Sequence, residues 1–429
     1  DTAAYSNVRR MILREGRLPP SDAVKAEEFI NYFNYQYEPA KNTQAPFSIN
    51  TEVAASPWNA NTHLVQIGLK GYEPALEQRP DSNLVFLIDV SGSMQSPFKL
   101  HLVKQSLRML VKQMDKNDRI SLVVYAGAAG VVLTPTSGDQ QATIMNAIDG
   151  LSAGGSTNGG AGIELAYKLA QQSFIKGGIN RVLIASDGDM NVGTVNHEAL
   201  KDLIKQKRKS GIALSTLGFG SGNYNYALME ELADVGNGNA AYIDSLKEAH
   251  KVLVKEMQST LLTIAKDVKI QVEFNPALVA EYRLIGYENR MLKREDFTND
   301  KVDAGDIGAG HTVTALYEIA LTNSGGEKLP ELRYGENQTS PTLSHSSELA
   351  FVKLRYKQPT GDKSTELSRR IHQNSIRDDI DKASQNLQFA AATAGFAQLL
   401  RGGEHTGDWG YEEALELARQ AKGNDPHGY

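Results

Sequence analysis

Asp89-Val90-Ser91-Gly92-Ser93 sets three short oxygen-bearing side chains at alternate positions of a turn. Side chains so spaced can converge on one hard cation; Mg²⁺ takes about six oxygens at about 2.0–2.1 Å and gives up its waters reluctantly. Two further oxygen sources stand in comparable places. Thr157 lies in Gly154-Gly155-Ser156-Thr157-Asn158, and Asp187 follows the apolar run Arg181 to Ala185. Two carboxylates and three neutral hydroxyls serve a divalent ion incompletely and leave a position for a carboxylate from a binding partner. That is the chemistry of adhesion rather than hydrolysis. For such a site the five donors must gather around one cation; if they lie far apart, or are tied up by a lysine instead, the interpretation collapses.

The elements that would carry these residues are legible. Leu84-Val85-Phe86-Leu87-Ile88 is a short continuous apolar run, the mark of a parallel strand buried on both faces. Ile120 to Tyr125, Arg181 to Ala185, Ile212 to Leu217 and Tyr242 to Asp244 read as further strands. Helical spacing recurs over Lys99–Met114, Gln140–Ile148, Gly160–Gln172, Glu198–Lys209, Tyr226–Val235 and Ser245–Ser259. This alternation predicts a doubly wound, mostly parallel α/β sheet. In such sheets ligands bind in the crevice beyond the carboxyl ends of the strands, where Asp89, Thr157 and Asp187 would meet.

The flanks carry a period of two. Phe47, Ile49, Thr51 and Val53 alternate with polar residues, as do Val65, Ile67 and Leu69, then Val268 to Phe274, Val313 to Leu321 and Leu349 to Tyr356. Such strands are half-buried and antiparallel. Two strands make no stable hairpin alone, so those before the α/β region must pair with those after it. The expected fold class is thus α/β, with the α/β domain inserted into an antiparallel β-sandwich and helical segments at both ends. The boundaries read as 1–44 (N-terminal helical segment), 45–80 and 263–358 (the two parts of the sandwich), 81–262 (the α/β domain) and 359–429 (C-terminal helical region). Ser21 is the expected N-cap of a first helix bearing Val24, Phe29, Ile30 and Phe33. Phe389, Ala392, Phe396, Leu399 and Leu400 form a core-facing stripe, and Lys357 to Ser364 reads as an exposed linker.

Composition narrows the function. The 429 residues carry a net charge of −6, no basic footprint for nucleic acid. No apolar run is long enough to span a bilayer. Cysteine is absent, which removes thiol catalysis, thiolate zinc sites, iron–sulfur ligation and disulfides. The start at Asp1 reads as a processed or trimmed chain, with any signal or lipid anchor upstream of it.

Asp89-x-Ser91-x-Ser93, Thr157 and Asp187 together resemble the five-residue metal-ion-dependent adhesion motif of von Willebrand factor type A (VWA) domains. Leu18-Pro19-Pro20, Glu27 to Phe33, Pro57-Trp58-Asn59, Gly286 to Arg290 and Phe389 to Arg401 resemble the bacterial YfbK-type subfamily, whose adhesion domain is inserted between N- and C-terminal regions. The resemblance implies that Ser91 and Ser93 bind the ion directly, and Thr157 directly or through water. It implies that Asp89 and Asp187 act largely through bound waters. It further implies a non-enzymatic interaction module, exported to the periplasm or cell surface and membrane-anchored in its precursor. Mg²⁺ is the expected ion, with Mn²⁺ or Ca²⁺ able to replace it.

Other patterns carry less. Asp187-Gly188-Asp189-Met190-Asn191 imitates a calcium-binding EF-hand loop, but Val192 stands where glycine is needed and a strand precedes it. The nine histidines, His63 and His101 among them, show no paired metal spacing. Gly218 to Gly222 reads as a loop at the binding edge, and Asp378-Asp379-Ile380-Asp381 as a solvated helix start. Two other functions remain open: a cytoplasmic adaptor of an AAA+ ATPase, and a hydrolase using the ion as Lewis acid, for which no general base can be named.

Overall fold

The computed structural model describes residues 1–40, 45–73, 79–126, 128–154, 159–188, 197–220, 224–256, 261–288, 291–300, 304–329, 347–359, 361 and 363–429. Two compact units are present, one of residues 1–10 with 74–263, the other of 11–73 with 264–429.

The chain opens with α1 (Ala3–Glu15) and α2 (Ala26–Asn31), then β1 (Phe47–Ala55) and β2 (Thr62–Gly71). The α/β unit follows as β3 (Ser82–Asp89), α3 (Leu102–Val111), β4 (Arg119–Tyr125), β5 (Ala129–Ser137), α4 (Gln141–Asp149) and α5 (Gly159–Gln172). It continues through β6 (Ile179–Ser186), α6 (His197–Arg208), β7 (Ala213–Phe219), α7 (Tyr226–Val235), β8 (Ala240–Ile243) and α8 (Leu246–His250). Its six-stranded sheet runs β5-β4-β3-β6-β7-β8, parallel throughout except for the antiparallel pair β4–β5. Central β3 is buried along its whole length because its side chains feed two cores. Leu84, Phe86 and Ile88 pack toward α3, α4 and α8, and Val85 and Leu87 toward α5, α6 and α7. Each such apolar side chain contributes about 1.5–3 kcal/mol of burial. The antiparallel edge strand β5 was not expected from the sequence.

The N-terminal helical segment differs from expectation. Its first ten residues belong to the α/β unit, because α1 is anchored there: Ser6 Oγ donates to the Tyr242 carbonyl at 2.7 Å, and Arg9 grips Asp244 (2.8 Å) and Glu248 (2.8 Å). Ser21 is not a helix N-cap; it opens a 3₁₀ turn, and α2 begins after an extended Lys25 without a side-chain cap.

In the second unit the chain continues through β9 (Thr263–Phe274), β10 (Val279–Leu284), β11 (Gly305–Gly308), β12 (Thr312–Leu321), β13 (Glu348–Lys357), β14 (Ser364–His372), β15 (Ile376–Arg377), α9 (Gln385–Leu400) and α10 (Tyr411–Ala421). The sheets run β10-β12-β2-β1-β15 and β11-β9-β13-β14. β2 pairs antiparallel with both β1 and β12, with Ile67 opposite Ala315, so strands from before and after the α/β region form one sheet, as the periodicity requires. Val53, Val65 and Ile67 of that sheet pack on Phe274 and Val352 of the other, which makes the unit a sandwich. The short β15 pairs parallel to β1, a departure from the all-antiparallel expectation. Lys357 to Ser364 is no linker; it connects the antiparallel pair β13–β14.

The subfamily-like segments gather in this unit. Asn31 bonds Thr314 N (2.7 Å), Thr314 O (3.1 Å) and Tyr287 OH (2.9 Å), while Phe33 and Phe29 pack against Phe389 and Phe396 at 4.9 and 6.1 Å. Of the Phe389 stripe only Ala392 is buried; Phe389, Phe396, Leu399 and Leu400 are half-buried, and the helix buries Leu387, Ala390, Ala391, Ala394 and Ala397 instead.

Candidate metal centre

Asp89 ends β3, and its register partners fix its surroundings. Tyr125 of β4 stands beside it on one side, and Ser186, one residue past the paired Ala185, on the other. The carboxylate is fully buried. Its Oδ1 accepts from Ser91 N at 2.9 Å; its Oδ2 accepts from Ser186 Oγ at 3.1 Å and Tyr125 OH at 3.4 Å. Among the described residues, no ammonium or guanidinium reaches it. Burial pushes the Asp89 carboxyl above its usual range, hydrogen bonds from Ser91 and Ser186 pull the other way, and the charge of Asp187 raises it further.

The turn after Asp89 carries the serines. Ser91 is nearly buried and Ser93 exposed, with their hydroxyl oxygens 3.0 Å apart. Asp187 follows β6 and is nearly buried. Gly188 turns the chain there at a φ of +84°, and its N–H donates to Ser186 Oγ at 3.1 Å. A Cβ at Gly188 would lie 2.5 Å from the backbone nitrogen of Asn225, so only glycine fits this turn.

Asp89, Ser91, Ser93 and Asp187 thus lie at the carboxyl ends of β3 and β6. Thr157 lies outside the described residues, as do Asp189, Asn191 and Ser221–Gly222. One expectation fails: the Asp187 carboxylate is not left to a metal alone. Lys99 Nζ sits 2.7 Å from its Oδ2, so a lysine supplies positive charge at this position. The sequence reading missed Lys99, Ser186 and Tyr125. For the last two the signal was available, since both stand at strand ends beside Asp89.

The donor chemistry suits a hard divalent cation. The charge of Asp187 is close enough to be felt at Asp89, two hydroxyls face each other beside them, and all are oxygen donors. Among the described residues there is no group of three or more His, Cys, Asp or Glu placed to hold a metal, so hydroxyls would have to complete this one.

Comparison with known proteins decides the family. The family models "von Willebrand factor" and "von Willebrand factor type A domain" match residues 1–66 and 83–258, and "Uncharacterized protein YfbK, C-terminal" matches 259–429. The chain is 46% identical to "Uncharacterized protein YfbK" of Escherichia coli (strain K12), over 100% of this chain and 74% of that protein. The chain belongs to the YfbK family. Like other proteins built on a VWA domain, this YfbK-family chain is supported as a protein–protein interaction module. A more distant relative is inter-alpha-trypsin inhibitor heavy chain H3 of Pongo abelii, 24% identical over 56% of this chain and 29% of that one. The solved structure of von Willebrand factor type A from Catenulispora acidiphila is 16% identical, with a TM-score of 0.47 over 90% of this chain and 89% of that one. No described helix of the YfbK-family chain is long and apolar enough to cross a membrane.

Proposed function

We propose that this YfbK-family protein is a metal-dependent adhesion module that binds rather than turns over its partner. In this reading Asp89, Ser91, Ser93, Thr157 and Asp187 hold one divalent ion, Mg²⁺ in the first instance, with Mn²⁺ or Ca²⁺ as substitutes. The bound ion would supply a coordination position for an acidic side chain of a protein partner. The observation that carries the reading is the pair of buried carboxylates beside two serine hydroxyls at the carboxyl ends of β3 and β6. Lys99 engages Asp187 Oδ2, so a lysine shares the negative charge at this position.

We assign the protein to the bacterial cell envelope, on the periplasmic or outer surface, held by a lipid anchor in its precursor. The resemblance to the YfbK-type subfamily is the support for this placement, and cell fractionation with an antibody to the native protein tests it. The functional test is capture of membrane proteins by the purified chain with and without a chelator. Capture that is lost on chelation, restored by Mg²⁺ and absent in Asp89→Ala is the expected result. Capture indifferent to chelation and to Asp89→Ala would overturn the proposal.

A further inference from the structure

We propose that Lys99 is a tethered competitor for the cation: its ammonium holds Asp187 until a divalent ion displaces it. The inference rests on the reading of the site given above and concerns how that site is regulated.

The lysine is seated, not merely nearby. Its side chain is 13% exposed and that of Asp187 6%, so the pair is screened from water. The stem lies across Gly220, which follows β7 at a φ of +85°. A Cβ on Gly220 would fall 2.4 Å from Lys99 Cε and 2.6 Å from Cγ, so the seat exists because that position has no side chain. The Gly220 carbonyl accepts the hydroxyl of Tyr242, and the Tyr242 ring packs edge-on to Tyr224 at 4.8 Å. The turn Pro97–His101, whose Ser96 accepts from Phe98 N at 3.4 Å, departs from helical dihedrals at Lys99 (φ −117°, ψ −105°) just before α3 begins. Phe98, next to Lys99, is 54% exposed.

Charge gives the exchange its direction. Asp89, Asp187 and the ammonium together carry one net negative charge, and replacing the ammonium by a divalent ion brings that to zero. Lysine is suited to such an exchange. It is a compact point charge on a flexible stem, without the bidentate fork that would make an arginine hard to dislodge. Apparent ion affinity is then reduced by the fraction of molecules in which the lysine holds the carboxylate.

The experiment is calorimetric titration of the full chain with MgCl₂ and MnCl₂, in the wild type, Lys99→Met, Gly220→Ala and Asp187→Ala, with thermal melts of each. Lys99→Met, which keeps a stem and removes the charge, is expected to bind about tenfold more tightly, within the usual range of coupling between two ligands. Gly220→Ala evicts the stem but keeps the charge, and tighter binding there separates displacement from a general gain on losing a positive charge. Lys99→Met without ion should melt below the wild type and gain more from Mn²⁺. If the wild type binds and folded Lys99→Met binds equally or more weakly, the lysine is a fixed structural partner and the inference fails while the site stands. If neither binds at millimolar ion, both the site and the inference fall.

Discussion

Glu318 of β12 and Asp89 of β3 are both strand carboxylates with less than a tenth of their surface exposed, yet they are satisfied in different ways. Glu318 accepts from Trp58 Nε1 at 3.1 Å, from Thr62 Oγ1 at 2.8 Å and from Arg283, whose guanidinium also reaches Gln398 Oε1 at 2.9 Å. An indole and a guanidinium only donate. The Glu318 cluster is therefore a closed clamp. Around Asp89 the side-chain donors are hydroxyls, which can donate or accept, and the nearest cation is a lysine held by Asp187 instead. One carboxylate is committed to the fold, and the other stands among groups that can change partners.

Glu318→Ala breaks the clamp and should have the largest effect. It leaves the Trp58 N–H without its acceptor and Arg283 with Gln398 Oε1 but no carboxylate, and because Arg283 is part-exposed the loss should be at the low end for a broken buried pair, about 3 kcal/mol. Urea unfolding measures it, and Mn²⁺ affinity should not change. A loss under about 1 kcal/mol would mean that water screens the Arg283–Glu318 pair as it does an exposed ion pair. Asp89→Asn should behave the opposite way. The amide oxygen still accepts from Ser91 N, and the Ser186 and Tyr125 hydroxyls can rotate to accept from the new NH₂, so stability should change by about 1 kcal/mol or less. Mn²⁺ affinity should fall about a hundredfold, about 2.8 kcal/mol, because a buried charge facing the ion is gone. Unchanged affinity in a folded Asp89→Asn protein would remove Asp89 from the site.

The same contrast explains what the sequence could show. The Asp89 turn was legible because the apolar run Leu84–Ile88 announces a buried strand and the oxygen donors follow it directly. The sandwich was legible because its strands alternate. Lys99 was not, because it reads as the first turn of the helix marked by Leu102, Val103 and Leu107, and its partner lies 88 residues away. β5 escaped because Val131 and Val132 on that edge strand are exposed and a proline, Pro135, stands inside it. The N-terminal helical segment was legible, but the docking of α1 on the α/β unit was not, because Ser6 and Arg9 fix it to residues more than 230 positions distant, a tertiary anchor that no local pattern encodes.

Two serines bring the comparison to its finest scale. Ser91→Ala removes a hydroxyl whose neighbour is the Ser93 hydroxyl; ion affinity should fall about tenfold, or about 1.4 kcal/mol, with stability nearly unchanged. Ser384→Ala removes the hydroxyl that accepts from Leu387 N at 3.3 Å as the N-cap of α9 and that donates to Glu52. That substitution should cost about 1 kcal/mol of stability. It should leave Mg²⁺ and Mn²⁺ titrations where they were, because the capped N–H belongs to the fold and no ion competes for it. Read together, urea unfolding and calorimetry should give opposite rankings of the two variants. If Ser91→Ala instead lowers stability by as much as Ser384→Ala and spares ion affinity, the Ser91 hydroxyl is another turn cap, and the distinction between committed and exchangeable polar groups does not extend to it.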